Sequence, residues 1–116
     1  MGAELLPART GSEFGLSAGT LAKLRAVLAR HAPVQRALIY GSRAKGNFRP
    51  GSDIDLTLDA PGLDFAEFLR IEQEIDDLLL PYRVDLSRLD DIEAGPLRDH
   101  IDRVGLSFWA RDASGT

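Results

Sequence analysis

Residues 34–59 read VQRALIYGSRAKGNFRPGSDIDLTLD. Val34 to Tyr40 is dense in β-forming residues and predicts a buried strand. Asp53 to Asp59 alternates, which puts Ile54, Leu56 and Leu58 on one face of a second strand and Asp53 and Asp55 on the other. Between them Gly41 to Gly51 carries three glycines and a proline, predicting a loop with a helical turn over Arg43–Asn47.

On either side the period changes to that of a helix. Ser17 is a plausible N-cap for a helix carrying Leu21, Leu24, Leu28 and His31, which stops before Pro33. Asp64, with Glu67 three residues on, caps a second helix whose stripe is Phe68, Ile71, Ile75, Leu78 and Leu79 and whose end is set by Pro81. Phe65 is expected in the core with Phe68. Tyr82 to Arg88 alternates again, with Val84 and Leu86 inward and Asp85 outward. Pro96 starts a short helix with Leu97, Ile101 and Val104, closed by Gly105, and Leu106–Ala110 forms a last strand. Phe108 and Trp109 fit either edge-strand packing or an interface. The order α-β-loop-β-α-β-α-β gives an α/β (α+β) domain, a sheet with helices packed on it. Residues 1–15 read as a loose N-terminal arm and residues 16–116 as a single domain.

The 116 residues, 44% apolar and 28% charged, suffice for one core without staples. There is no cysteine, which excludes disulfides, thiolate zinc sites and cysteine nucleophiles and fits a reducing compartment. No apolar run approaches the ~20 residues of a membrane span. Met1 to Ser12 has no apolar leader segment. The expected location is the cytoplasm. The net charge of −4 is unevenly spread: residues 1–52 hold eight Lys/Arg against two Asp/Glu, whereas residues 53–116 hold six against sixteen. Overall acidity argues against extended nucleic-acid binding. A basic loop beside acidic residues instead suits a phosphate ligand carried with a divalent cation.

Asp53 and Asp55 leave the same face of one strand, and Asp85 leaves the matching face of another. If those strands are neighbours, three carboxylates converge and repel unless a cation lies among them. Oxygen-only donors select Mg²⁺ or Mn²⁺. Upstream, Gly41 and Gly46 allow close backbone approach, Ser42 offers a hydroxyl, and Arg43 and Lys45 offer donors for phosphate oxygens. Gly-Ser followed at this spacing by Asp-x-Asp arises by chance in ~0.6% of such chains; its placement, strand before loop and strand under the aspartates, adds to that signal. Singly, Asp53 reads as a turn residue and Asp55 as an exposed strand residue. Asp59, Asp76, Asp77, Asp90 and Asp91 read as strand-end, capping or solvated charges, and His31 and His100 lack the partners of a metal site.

Gly41-Ser42-Arg43-Ala44-Lys45-Gly46, Ser52-Asp53-Ile54-Asp55-Leu56 and Val84-Asp85-Leu86 together resemble the signature of the DNA polymerase beta-like nucleotidyltransferase superfamily. The short length resembles its minimal nucleotidyltransferase (MNT) group, the MntA-like antitoxins of HEPN/MNT toxin–antitoxin pairs. The resemblance implies the nucleotidyltransferase fold with a mixed sheet. It implies Asp53, Asp55 and Asp85 as catalytic residues and ligands of two Mg²⁺ ions. It implies Gly41, Ser42, Arg43 and Lys45 at the nucleotide, and transfer of AMP from ATP to a hydroxyl, that of a tyrosine on a partner HEPN-domain toxin. The rival readings are a binding antitoxin acting by stoichiometric contact and a nucleotide-binding regulatory subunit; the oligomeric state is left open.

Overall fold

The computed structural model describes residues 13–111. A 3-10 turn over Glu13–Gly15 leads into α1 (Ala18–Ala29), β1 (Arg36–Tyr40), α2 (Gly41–Lys45) and β2 (Ile54–Asp59). There follow α3 (Phe65–Asp76), β3 (Val84–Arg88), a 3-10 turn over Leu89–Asp91, α4 (Pro96–Val104) and β4 (Leu106–Ala110). The sheet order is β3-β2-β1-β4; β1 is antiparallel to both neighbours, and β2 and β3 are parallel. The parallel pair needs a crossover, and α3 supplies it. The sheet is thus mixed, in an α+β architecture.

Both expected N-caps form. The Ser17 hydroxyl accepts from the Thr20 N–H at 3.1 Å, and the Asp64 carboxylate accepts from the Glu67 N–H at 2.8 Å. Each satisfies a donor that the first helical turn leaves unpaired. The apolar stripes of α1 and α3 cover the face that carries Ala37, Ile39, Ile54, Leu56 and Leu58, forming the main core. Fully burying each such aliphatic side chain contributes ~1.5–3 kcal/mol. On the opposite face α4 covers only the β1 side, where Ile101, Tyr40 and Leu89 make a small second cluster. The β2–β3 side of that face lies beyond this cover, and Asp85 there is exposed.

Several elements differ from expectation. The segment after β1 is not a loop with a later turn: helix α2 starts at Gly41 itself, because Gly41 adopts φ 73° and turns the chain at once. Helix α3 ends at Asp76, short of Pro81, and Leu79 takes φ 56° with its side chain 86% exposed instead of joining the stripe. Phe65 is 61% exposed rather than in the core, stacked on Phe68 with the Arg88 guanidinium nearby. Leu97 also faces outward. Phe108 is buried against Phe14, and Trp109 packs on the core edge beneath Arg111. Of residues 1–15, the expected arm, only Glu13–Gly15 lie within the described residues. Among those residues no helix is long and apolar enough to cross a membrane.

Side-chain hydrogen bonds tie the two helices of the core face together. His31, just past α1, sits between two carboxylates of α3, with Nδ1 2.9 Å from Glu67 and Nε2 2.9 Å from Glu74. These bonds hold the Glu74 carboxyl below its usual range. They satisfy a buried imidazole, in line with the reading of His31 as no metal ligand.

Candidate active site

Strand register builds the site. Tyr40 of β1 lies opposite Asp55 of β2, and Asp55 lies opposite Asp85 of β3. Paired residues share a face, so the three side chains form a row across three strands on the side away from the main core. Asp53 stands just before β2, exposed, two residues from Asp55 and hence toward the same side.

Gly41 makes the row possible in a second way. A Cβ on this residue would collide with the Asp55 carboxylate oxygen. A side chain there would therefore displace Asp55, quite apart from the strain of its positive φ. Its N–H donates to His100 Nε2 at 3.1 Å. In this arrangement Gly41 contributes room rather than a free donor.

The electrostatics of the row match its geometry. The Asp55 carboxyl is pushed up by burial, then by the like charges of Asp85 and Asp53, with His100 acting the other way. The Tyr40 phenol is pushed up by burial and by Asp55 and Asp85, against a lowering hydrogen bond from Ser87. Among the described residues no three acidic or imidazole groups close into a ready cage for a metal; the carboxylates stand as an open row. Oxygen-only donors of this kind suit a hard divalent cation. Mg²⁺ fits this donor set.

The loop residues divide. Ser42 is half-buried on α2, one residue after Gly41, and its carbonyl accepts the Gly46 N–H at 2.9 Å. Lys45 is exposed on α2. Arg43 is not brought into the row: it is 2% exposed and points inward. Its guanidinium donates to the carbonyls of Ser52 (2.9 and 3.2 Å), Phe14 (3.0 Å) and Pro50 (3.2 Å). The rings of Phe48 and Tyr82 lie against it. It thereby holds the 46–53 loop, and with it the approach to Asp53.

Two members of this neighbourhood escaped the sequence reading. Tyr40 reads in the sequence as part of a buried strand, and its register opposite Asp55 turns it toward the aspartates. His100 reads in the sequence as a lone helical histidine. It meets Gly41 at 3.1 Å and Tyr40 edge-on, with ring centroids 6.2 Å apart. No local spacing signals a contact across 59 positions.

The polymerase beta nucleotidyltransferase family model matches residues 22–114. No curated protein sequence matches the chain significantly. Among solved structures, a chain of a toxin–antitoxin crystal structure with AMP-PNP superposes with a TM-score of 0.63 at 23% identity, covering 81% of this chain and 76% of that one. A chain of the toxin–antitoxin complex MntA-HepT gives 0.57 at 22% identity, over 79% and 71%. A chain of the complex of tri-AMPylated Shewanella oneidensis HEPN toxin with MNT antitoxin gives 0.58 at 21% identity, again over 79% and 71%. At these identities the likeness is one of fold.

Proposed function

The chain belongs to the polymerase beta nucleotidyltransferase family, and we propose that it is a Mg²⁺-dependent adenylyltransferase that moves AMP from ATP to a tyrosine hydroxyl of a partner HEPN-domain toxin, acting as its antitoxin in the cytoplasm. Residues 16–116 form the one catalytic unit. The observation that carries the reading is the row in which Asp55 pairs with Asp85 across parallel strands, with Asp53 alongside. A row of repelling carboxylates on an otherwise well-satisfied fold costs stability and is explained by a task. Folds shared with toxin–antitoxin complexes, one with AMP-PNP and one with an AMPylated HEPN toxin, support ATP as donor and such a toxin as acceptor.

Asp53, Asp55 and Asp85 would hold Mg²⁺, which when bound neutralises charge on the phosphate oxygens. Ser42 and Lys45, on the short helix that follows Gly41, would contact the triphosphate. The acceptor oxygen forms a bond to the α-phosphorus, the bond to the bridging oxygen breaks, and pyrophosphate leaves. Asp85, the exposed end of the row, takes the proton from the acceptor hydroxyl. Gly41 keeps room for the Asp55 carboxylate, and Arg43 holds the loop that carries Asp53 into place.

The test uses Asp85→Asn, which keeps the size of the side chain and removes its charge. Incubated with ATP, Mg²⁺ and the HEPN-domain toxin, the wild-type chain should add AMP to the toxin, read as a mass increase. Asp85→Asn should transfer at least ~10²-fold more slowly and fail to rescue growth. A toxin that stays unmodified while both forms rescue growth equally would refute the catalytic reading and leave a stoichiometric one.

A further inference from the structure

Among the described residues β3 ends the sheet, with no strand beside its outer side. The Ile54 N–H donates to the Arg83 carbonyl at 2.9 Å. In a parallel ladder this fixes the alternation: Asp85 and Ser87 bond inward to β2, while the N–H and C=O groups of Val84 and Leu86 point outward. An extended chain laid along this edge would therefore bond to Val84 and Leu86. Its residue opposite Asp85 would project onto the same face as Asp85. If antiparallel, that position is the non-hydrogen-bonded pair, where facing side chains come closest.

On the other face of the same edge, between α3 and β3, lie two adjoining clefts of about 270 and 140 Å³ that share Ile75, Asp76 and Val84. Their walls add Glu72 on one side and Arg83 at the far end. Leu79 directly precedes the lining residue Leu80 in the chain. Its left-handed φ of 56° is unfavourable for a branched side chain, and yet that side chain is 86% exposed. A strained and solvated leucine next in sequence to a cleft lined by both apolar and charged side chains is what a partner surface would cover. The opposite edge, β4, is bulged against β1 and lies away from the carboxylates.

We propose that the free edge of β3 receives an extended segment of the acceptor protein, with the hydroxyl-bearing residue opposite Asp85 and its sequence neighbours turned into the α3–β3 cleft. Those neighbours are apolar over Ile75 and Val84 and basic against Glu72 and Asp76. Substrate delivery is then β-strand addition: main-chain bonds give affinity, and alternation selects which residue reaches the row. This rests on the reading that the acceptor is a protein hydroxyl.

The experiment is amide hydrogen exchange on the isotope-labelled chain, alone and with the HEPN-domain toxin. Free, the Val84 and Leu86 amides should exchange faster than those of Asp85 and Ser87. In the complex they should slow by at least ~10-fold, with Asp85 and Ser87 as internal references. Leu79→Gly accepts the positive φ without strain, so its thermal midpoint should not fall, while toxin affinity drops; Asp76→Lys should weaken binding too. A complex in which Val84 and Leu86 exchange as in the free chain, or in which both variants bind as wild type, overturns the docking mode and leaves the proposed function intact. Absence of any complex or transfer overturns both.

Discussion

Replacing Arg43 with methionine separates two roles that the sequence alone leaves joined. Methionine keeps apolar bulk against Phe48 and Tyr82 but has no donor for the carbonyls of Phe14, Pro50 and Ser52. At ~1.5 kcal/mol for each of the three carbonyls that loses a charged donor, the cost is about 4.5 kcal/mol, and water reaching the freed carbonyls reduces it to about 3 kcal/mol. Against a domain stability of ~5–15 kcal/mol this is severe but survivable. At ~4 °C per kcal/mol, the melting midpoint falls by about 12 °C. Differential scanning calorimetry reads this directly. Titration with Mg·ATP, at a temperature where both forms are folded, should then show only a modest loss of affinity, transmitted through the loosened loop that carries Asp53. A midpoint within ~2 °C of wild type, combined with strongly weakened ATP binding, would show that the guanidinium serves phosphate and that the loop is held by something else.

Gly41→Ala should reduce transfer severely, because the new methyl displaces the Asp55 carboxylate; the positive φ adds ~1–2 kcal/mol of strain, read as a lowered melting midpoint beside the activity assay. Asp55→Asn should abolish transfer yet stabilise the metal-free chain at neutral pH. The folded carboxyl titrates above its ordinary 3.8, so folding is favoured while it is protonated and loses that contribution as pH rises through the folded value. The stability gain of the variant should accordingly shrink as denaturation is followed down toward pH 3.8.

Much of this architecture is written in local pattern. Period-2 alternation places Ile54, Leu56 and Leu58 against the core and turns Asp55 away from it, and the caps at Ser17 and Asp64 mark where two helices begin. Asp85 could be placed on a strand but not beside Asp55, because strand adjacency depends on the α3 crossover rather than on any nearby residue. The reading of Arg43 as a phosphate ligand follows from its residue type in a glycine-bounded loop. Its inward course depends on carbonyls at positions 14, 50 and 52, which only the folded chain brings together. Leu79 fits a helical stripe by spacing, yet the helix ends three residues earlier, at Asp76. A left-handed leucine contradicts local preference, and sequence reasoning has no means to anticipate it.

The strand order also sets when the sheet can be completed during synthesis. β1 occupies an inner position, but one of its neighbours, β4, is made about 70 residues later, which at ~5–20 residues per second is a wait of ~4–14 s. Through that interval β1 can pair with β2 while its other edge, Arg36 to Tyr40, stays open in a stretch that includes Ala37, Leu38 and Ile39. Such an edge invites pairing with a second nascent chain. Arg36, held by Asp59 at 2.8 Å, places a charge at the start of that stretch and acts as a gatekeeper. Slowing translation upstream of Leu106 should therefore lengthen the aggregation-prone window, and Arg36→Leu should lower soluble yield by more than its small effect on the finished fold.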